Sequence, residues 1–172
     1  GNEVFVKMSN LSYENILRLN IIPNLWKQFN KDHLVVRFVT SFETETAALA
    51  GRKFAVATVN GTAALHLALI GAGVQKGDHV AVPDWTFAAT ANAVHHAGAI
   101  PLFVDVNSDS WTLDPGQLER AFDSSKGEKI KAVIVVDTLG YTADMDKLAG
   151  VCLNRGVPLI EDAAGAIGAT YK

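Results

Sequence analysis

Asn60-Gly61-Thr62-Ala63-Ala64-Leu65-His66-Leu67-Ala68-Leu69 follows an apolar run at residues 54–59, and together they predict a strand, a turn and a helix. The first N–H groups of a helix have no acceptor within it, and the helix dipole is positive at that end. Gly61 lets the backbone approach a ligand closely, and Thr62 adds a hydroxyl. The turn therefore predicts an anion site, with phosphate as the guest. Alternatively, Gly61 is present only because the turn needs a positive φ.

The composition favours a single domain with a well-buried sheet. The 172 residues are 49% hydrophobic and 19% charged, which suits a sheet covered on both faces. A net charge of −3 and the lack of a Lys/Arg-rich run argue against a nucleic-acid-binding domain. No segment has the apolar length of a membrane span and no signal peptide is visible, so we expect a cytoplasmic protein. The single Cys152 excludes an internal disulfide, and its helical context predicts a buried structural thiol.

Strand and helix patterns alternate at regular spacing from residue 42 onward, whereas residues 1–41 are poorly determined. Short apolar runs predict strands at residues 54–58, 79–83, 100–105, 130–136 and 158–162, and residues 34–39 also have strand-like composition. Helices are predicted at residues 13–19, 44–49, 62–70, 86–96, 115–122 and 145–154, with Asp114 and Asp144 as N-caps of the last two. The alternation predicts an α/β fold, a three-layer arrangement of a mostly parallel sheet with helices on both faces.

Ligands of such sheets bind beyond the carboxyl ends of the strands, so the residues found there are candidates for a site. Aromatic residues Trp85 and Phe87 follow one predicted strand, and Asp162 ends another. Because consecutive strand residues face opposite sides, Asp162 rather than Glu161 is assigned to the site. A flat, phosphorylated ring with a protonated nitrogen would use the helix N-terminus, the aromatic rings and the carboxylate. These are the requirements of pyridoxal phosphate.

Five motifs, in this order and at this spacing, resemble the DegT/DnrJ/EryC1/StrS family of nucleotide-sugar aminotransferases. They are Asn60-Gly61-Thr62-Ala63-Ala64-Leu65-His66-Leu67-Ala68-Leu69, Gly77-Asp78-His79-Val80-Ala81-Val82-Pro83, Thr86-Phe87 with Ala89-Thr90-Ala91-Asn92-Ala93, Ala143-Asp144-Met145-Asp146, and Pro158-Leu159-Ile160-Glu161-Asp162-Ala163-Ala164. The resemblance implies part of the large domain of fold type I transferases that depend on pyridoxal phosphate. We therefore divide the chain into an N-terminal segment, residues 1–41, and a partial cofactor-binding domain, residues 42–172.

The resemblance also implies a role for each matching residue. Gly61, Thr62 and Ala63 would hold the phosphate of the cofactor. Phe87 would stack on the pyridine ring. Asp162 would pair with the protonated ring nitrogen, and the positive charge beside it would lower its pKa.

Other matching positions are less conclusive or depart from the family pattern. Trp85 stands where the substrate pocket of the family begins, although ordinary packing beside the sheet explains it equally well. Gly165 replaces a Gln or Glu that contacts the ring hydroxyl, so only backbone remains at that point of the cofactor site. Ile167 and Asp137 both stand where His is common. These changes affect the electrostatics of the site rather than the fold.

The catalytic lysine is the main difference from the family. The Schiff-base Lys of these enzymes belongs to a Ser-rich, aromatic segment well past Asp162, and no lysine of this sequence stands at the matching position. The other lysines are interpreted as surface residues. We therefore expect the residues for the cofactor to be present, the catalytic lysine to be absent, and the chain to be inactive alone.

The family activity is transfer of an amino group from glutamate to a keto sugar nucleotide, in polysaccharide or lipopolysaccharide biosynthesis. The resemblance implies this activity for the complete enzyme, together with a homo-oligomer. We expect no metal site, no nucleic-acid partner and no membrane. Two alternatives remain: a naturally truncated, non-catalytic binding or oligomerisation module of the same family, and a generic nucleotide-binding doubly wound domain. The second is disfavoured because the glycine spacing of a dinucleotide fingerprint is missing.

Overall fold

The computed structural model describes residues 6–8 and 34–171. Among them, residues 34–59 belong to one compact unit, and residues 6–8 with 60–171 belong to another. Helix α1, Leu34–Leu49, makes up most of the smaller unit. The Glu43 side chain accepts the N–H of Ala57 at 2.9 Å, which ties the segment after α1 back to the helix.

Two predictions for the smaller unit are wrong, and a third cannot be compared. Residues 34–39 lie within α1 rather than in a strand, because Phe38, Phe42 and Leu49 continue one helical spacing. Residues 54–58 form no strand. Apolar, β-branched composition only suits a pleated surface, and a strand also needs a neighbour to satisfy its backbone. The helix predicted at residues 13–19 lies outside the described residues.

A five-stranded sheet forms the centre of the larger unit. Its strands are β1 Val6–Met8, β2 His79–Pro83, β3 Ile100–Val104, β4 Ile130–Val136 and β5 Leu159–Asp162. They lie in the order β1-β5-β4-β2-β3. Strands β2 to β5 are mutually parallel, and β1 runs antiparallel to β5. The mostly parallel sheet predicted from the sequence is confirmed.

Within residues 60–171, four α-helices cover the sheet: α2 Gly61–Gly71, α3 Ala88–His96, α4 Pro115–Asp123 and α5 Met145–Arg155. Alternate strand residues face opposite layers, since Val80 and Val82 pack with α2 and α3 whereas Ala81 packs with α4 and α5. The three-layer arrangement is therefore confirmed, and these four helices begin and end within two residues of their predicted bounds. No helix in the described ranges is long and apolar enough to cross a membrane.

Capping residues and the cysteine behave as their sequence context predicts. Asp114 accepts the N–H of Gln117 at 2.8 Å, and Asp144 accepts the N–H of Lys147 at 3.4 Å. Each aspartate thus satisfies a backbone donor that its helix leaves open. Cys152 is buried in the core formed with α4 and α5, and burial raises the pKa of its thiol to about 12. The thiol is therefore structural.

The order of the strands indicates where a ligand would bind. From β2 the chain passes through α3 to β3 on one side, and then returns through α4 to β4 on the other side of β2. The direction of winding therefore reverses between β2 and β4. In open parallel sheets, ligands bind at the carboxyl ends of the strands beside such a reversal. We call this side of the molecule, where β2, β4 and β5 end, the carboxyl end of the sheet.

Candidate functional site

The N-terminus of α2 lies at the carboxyl end of the sheet. A short turn joins the last residue of α2 to the amino end of β2, so the helix runs antiparallel to this strand. The first residues of the 11-residue helix therefore lie at the carboxyl end of the sheet. The Asn60 Oδ1 atom caps the helix by accepting the N–H of Ala63 at 2.8 Å. The N–H groups of Gly61 and Thr62 precede the first acceptor within the helix. An anion would therefore bind these two groups first, because the N–H of Ala63 is engaged by the cap.

Asp162, the last residue of β5, is only 7% exposed. It follows Ile160 on the same face of the strand, and Ile160 packs with Leu65 of α2. The carboxyl group therefore shares a sheet face with α2. Its Oδ1 atom accepts the N–H of Ala164 at 3.1 Å, which fixes its orientation.

Burial raises the pKa of Asp162 in the free chain. The pairing with a ring nitrogen implied by the family would lower it. The two directions have different causes, since burial penalises the charged carboxylate and an adjacent positive charge stabilises it. No ion pair joins Asp162 to a basic side chain that the structure describes, and a buried carboxyl group of this kind is suited to receive a protonated ring nitrogen.

Two aromatic residues follow β2. Phe87 directly precedes α3 and leaves 82% of its surface exposed, so the face of its ring is accessible for stacking. Trp85 is half-exposed and packs edge-on against Trp111, with ring centroids 4.9 Å apart and an angle of 76° between the rings. The hydroxyl groups of Thr86 and Thr90 lie 2.8 Å apart and connect this turn to α3. The sequence interpretation included Trp85 and Phe87 but did not identify Trp111.

Asp137 lies behind the site rather than in it. It follows β4, is 2% exposed, and its Oδ1 atom accepts the N–H of Ala143 at 3.0 Å. Ala143 belongs to the core on the α4 and α5 face, opposite to the face of Asp162. Burial raises the pKa of Asp137 to about 6, and the neighbouring carboxyl groups of Glu161 and Asp162 add to the increase. The residue therefore supports the turn after β4 from the far side of the sheet.

The turn after β4 contains a buried hydroxyl group. The Thr138 hydroxyl is buried and, among the residues that the structure describes, has no hydrogen-bond partner. Gly165 lies beside the same turn, since a Cβ atom there would stand 3.0 Å from the carbonyl oxygen of Asp137. A larger residue would have to displace this backbone, so Gly165 contributes close approach instead of a side chain. Buried hydroxyl groups are normally hydrogen-bonded.

These groups together fit a phosphorylated pyridine ring. The α2 N-terminus suits the phosphate, the Phe87 ring suits the ring face, and the Asp162 carboxylate suits the ring nitrogen. Lys7 lies on β1, where its backbone is opposite Glu161 of β5. The other lysines described in the larger unit do not lie among these groups. Lys76, Lys126, Lys129 and Lys131 precede or begin strands, and hence lie towards the amino ends of those strands. Lys147, on α5, pairs with Asp144 at 2.8 Å.

Comparison with known proteins identifies a family and several relatives. Residues 30–172 match the DegT/DnrJ/EryC1/StrS aminotransferase family. The EpsN protein of Bacillus subtilis is 45% identical over 136 residues, which are 78% of this chain and 35% of that protein. The GDP-perosamine synthase of Caulobacter vibrioides is 41% identical over 138 residues, 80% of this chain and 36% of the relative.

A solved structure extends the likeness to the fold. NtdA of Bacillus subtilis, with bound cofactor PMP, superposes with a TM-score of 0.73 at 28% identity, over 91% of this chain and 34% of that chain. The chain thus spans about a third of the length of these relatives. On the match over residues 30–172 and these identities, the chain belongs to the DegT/DnrJ/EryC1/StrS aminotransferase family.

Proposed function

We propose that the chain is the cofactor-holding portion of a pyridoxal-phosphate-dependent aminotransferase that aminates a keto sugar carried on a nucleotide, with glutamate as amine donor. The observation that carries the proposal is the position of the α2 N-terminus and the buried Asp162 on one sheet face. A phosphate and a protonated ring nitrogen require these two groups. The sugar-nucleotide name of one relative and the PMP bound to another support the same conclusion.

Each residue of the site has a definite task in this proposal. When bound, pyridoxal phosphate supplies a ring that accepts electrons from the substrate. The N–H groups of Gly61 and Thr62, with the Thr62 hydroxyl, bind the phosphate. Phe87 packs on the ring face, and the Asp162 carboxylate holds a proton on the ring nitrogen. Pairing with that nitrogen lowers the pKa of Asp162 from its raised value in the free chain, because opposite charges stabilise each other.

Binding of pyridoxamine phosphate to the purified chain tests the cofactor site, since that binding needs no lysine. We expect Asp162→Asn to weaken the binding about tenfold or more, because the buried partner of the ring nitrogen loses its charge. Asp123→Asn is the matched control, since Asp123 is an exposed aspartate at the end of α4. The proposal fails if the chain does not bind pyridoxamine phosphate, or if the Asp162 variant and the control bind it equally.

We also propose that the 172-residue chain does not transaminate by itself, since Lys76, Lys126, Lys129, Lys131 and Lys147 lie apart from Thr62, Phe87 and Asp162, and Lys7 is opposite Glu161 rather than Asp162. An assay with pyridoxal phosphate, glutamate and a keto sugar nucleotide measures this directly. Turnover by the purified chain would contradict this part of the proposal and leave the cofactor site intact.

A non-catalytic binding or oligomerisation module of the same family is the second candidate. The exposed side chains of Phe87, Leu139 and Tyr141, which follow strands at the carboxyl end of the sheet, favour it as a contact surface. The two candidates differ in one measurement. A module would associate through this surface without binding pyridoxamine phosphate, whereas the cofactor-holding portion would bind it in every association state.

A further inference from the structure

Trp111 has a left-handed backbone conformation, although nothing in its turn requires a tryptophan at this position. It lies between β3 and α4 with a φ of +57°, a value that bulky residues rarely adopt. The turn is closed by the Trp111 N–H, which donates to the Asn107 carbonyl at 2.8 Å, and by the Asn107 N–H, which donates to the Thr112 carbonyl at 2.9 Å. Gly or Asn fills such a position at lower conformational cost. We therefore attribute the presence of a tryptophan at position 111 to a role of its side chain rather than of its backbone.

That side chain forms a right-angled pair with Trp85. The two rings meet edge to face at 4.9 Å, and 49% of Trp85 and 51% of Trp111 stay exposed. A pair that served only to fill the core would bury both rings. Here, two nearly perpendicular aromatic surfaces remain accessible to a ligand. We call Trp85 and Trp111 the aromatic corner.

The aromatic corner stands next to the cofactor site, on the side away from Asp162. Trp85 is two residues from Phe87, so their Cα atoms are at most about 7 Å apart. The Asp84 N–H donates to the Val104 carbonyl at 3.0 Å, which holds the ends of β2 and β3 side by side. A ring stacked on Phe87 would thus have the aromatic corner as its neighbour towards β3. The keto carbon of a keto sugar is a member of the hexose ring, so a substrate that reacts beside Phe87 would bring this ring close to the aromatic corner.

We propose that Trp111, together with Trp85, packs against the hexose ring of the nucleotide-linked sugar and is a specificity-determining residue of the site. The inference rests on the proposed function. A pyranose presents C–H groups on its faces and hydroxyl groups at its rim. Exposed aromatic surfaces bury the C–H faces and leave the hydroxyl groups in water. The strain at Trp111 is compensated by this contact in the bound state and by the ring contact with Trp85 in the free state.

Calorimetric titration of the full chain, saturated with pyridoxamine phosphate, tests the proposal. The probes are GDP-mannose and UDP-N-acetylglucosamine, and GDP and UDP alone serve as comparison. Trp111→Gly suits the positive φ and removes the ring, and Trp111→Asn is a second variant of the same kind. We expect both to weaken the nucleotide sugars about fivefold or more, Trp111→Phe to stay within about twofold, and GDP and UDP to bind equally to all of them.

Leu139→Gly is the matched control for backbone strain. Leu139 is the other non-glycine residue with positive φ in the described part of the chain, and its side chain is almost fully exposed. Its replacement relieves a similar strain without touching the aromatic corner. Its melting temperature therefore measures the effect of the strain alone. The control for binding is Asp123→Asn at the end of α4, whose affinity for both nucleotide sugars we expect to equal that of the unmodified chain. If Trp111→Gly and Trp111→Asn melt at or above the melting temperature of Trp111→Phe, a general loss of structure is excluded as the cause of their weaker binding.

Each remaining outcome decides between the two proposals. Equal affinity of the Trp111→Gly and unmodified chains for the nucleotide sugars overturns the inference. An equal loss of affinity for GDP and UDP also overturns it, since the aromatic corner would then contact the nucleotide. Failure of the unmodified chain to bind nucleotide sugars while it binds pyridoxamine phosphate overturns the inference and leaves the proposed function standing. Failure to bind pyridoxamine phosphate overturns the proposed function itself.

Discussion

The carboxyl group of Asp137 shows how burial at a single residue makes stability depend on pH. Burial raises its pKa from 3.8 to about 6, and Glu161 contributes by charge and by a shared hydrogen bond. The ordinary value applies in the unfolded chain, so the folded chain binds the proton more tightly. The free energy of unfolding therefore falls as pH rises from about 4 to about 6, and the loss is complete above that range.

Replacement of Asp137 by Asn is expected to stabilise the chain at neutral pH. The amide oxygen of Asn still accepts the Ala143 N–H, and the side chain no longer ionises. We expect a gain of about 1–3 kcal/mol in the free energy of unfolding at pH 7.5 and little difference at pH 4. Urea unfolding at the two pH values measures it. An equal difference in the free energy of unfolding at pH 7.5 and at pH 4 would show that packing, rather than ionisation, causes the stabilisation.

At the scale of the elements, one glycine within α5 and one directly after it form a matched pair. Gly156 ends the helix with a φ of +65°, whereas Gly150 lies within it, and a Cβ atom at either position would meet nothing within 4 Å. Gly156→Ala is therefore expected to lose about 1 kcal/mol through backbone strain alone. Gly150→Ala is expected to gain about 0.5–1 kcal/mol because alanine favours the helix. Chemical denaturation of both variants measures the two changes in the free energy of unfolding, which should have opposite signs. A loss of stability in both variants would contradict the prediction.

The Asn60 cap of α2 can be separated from the proposed phosphate site. Asn60→Ala removes the acceptor for the Ala63 N–H and should cost about 1 kcal/mol of stability. Asn60→Asp keeps the cap and should preserve the stability, but its negative charge repels a phosphate at the same helix end. We therefore expect the Asp variant to bind pyridoxamine phosphate more weakly while its melting temperature remains unchanged. Unchanged binding by the Asp variant would place the phosphate elsewhere.

Elements whose neighbours follow soon in the sequence could be predicted from it. The apolar runs at His79–Pro83 and Ile130–Val136 form strands with the predicted bounds, since both are covered by adjacent helices. Residues 54–58 have the same composition and form no strand, because pairing depends on a partner that composition does not specify. The antiparallel addition of Val6–Met8 to β5 was likewise not predicted, since its register joins residues from opposite ends of the chain.

At the scale of the whole molecule, most groups of the candidate site were predictable and their surroundings were not. Thr62, Phe87 and Asp162 follow from the rule that parallel sheets bind ligands beyond their carboxyl ends. The orphaned hydroxyl of Thr138 and the ring contact of Trp111 depend on three-dimensional packing. One signal was available for Trp111, namely a tryptophan among the polar residues of a turn. The raised pKa of Asp162 also needed the structure, because burial cannot be read from sequence alone.

At the scale of the whole molecule, the outer strand β3 leads us to expect self-association. In the described sheet β3 pairs only with β2, and the Phe103 side chain on it is exposed. Open strand edges with apolar side chains pair with other chains, and a lysine on the strand prevents this. We expect the chain to self-associate with rising concentration and Phe103→Lys to shift it towards the monomer. Sedimentation velocity measures both, and an unmodified chain that stays monomeric would contradict the expectation.

The antiparallel pairing of β1 with β5 determines when β1 can join the sheet during synthesis. Val6 pairs with Asp162, so the residues of β1 must wait until β5 has been synthesised before they can pair. Strands β2, β3 and β4 can meanwhile assemble from contacts of shorter sequence separation, at a smaller cost in loop entropy. A nascent chain arrested before residue 159 would therefore hold a sheet of three strands with a free N-terminal segment. The residues of β1 would become protected from hydrogen exchange only after those of β2, β3 and β4.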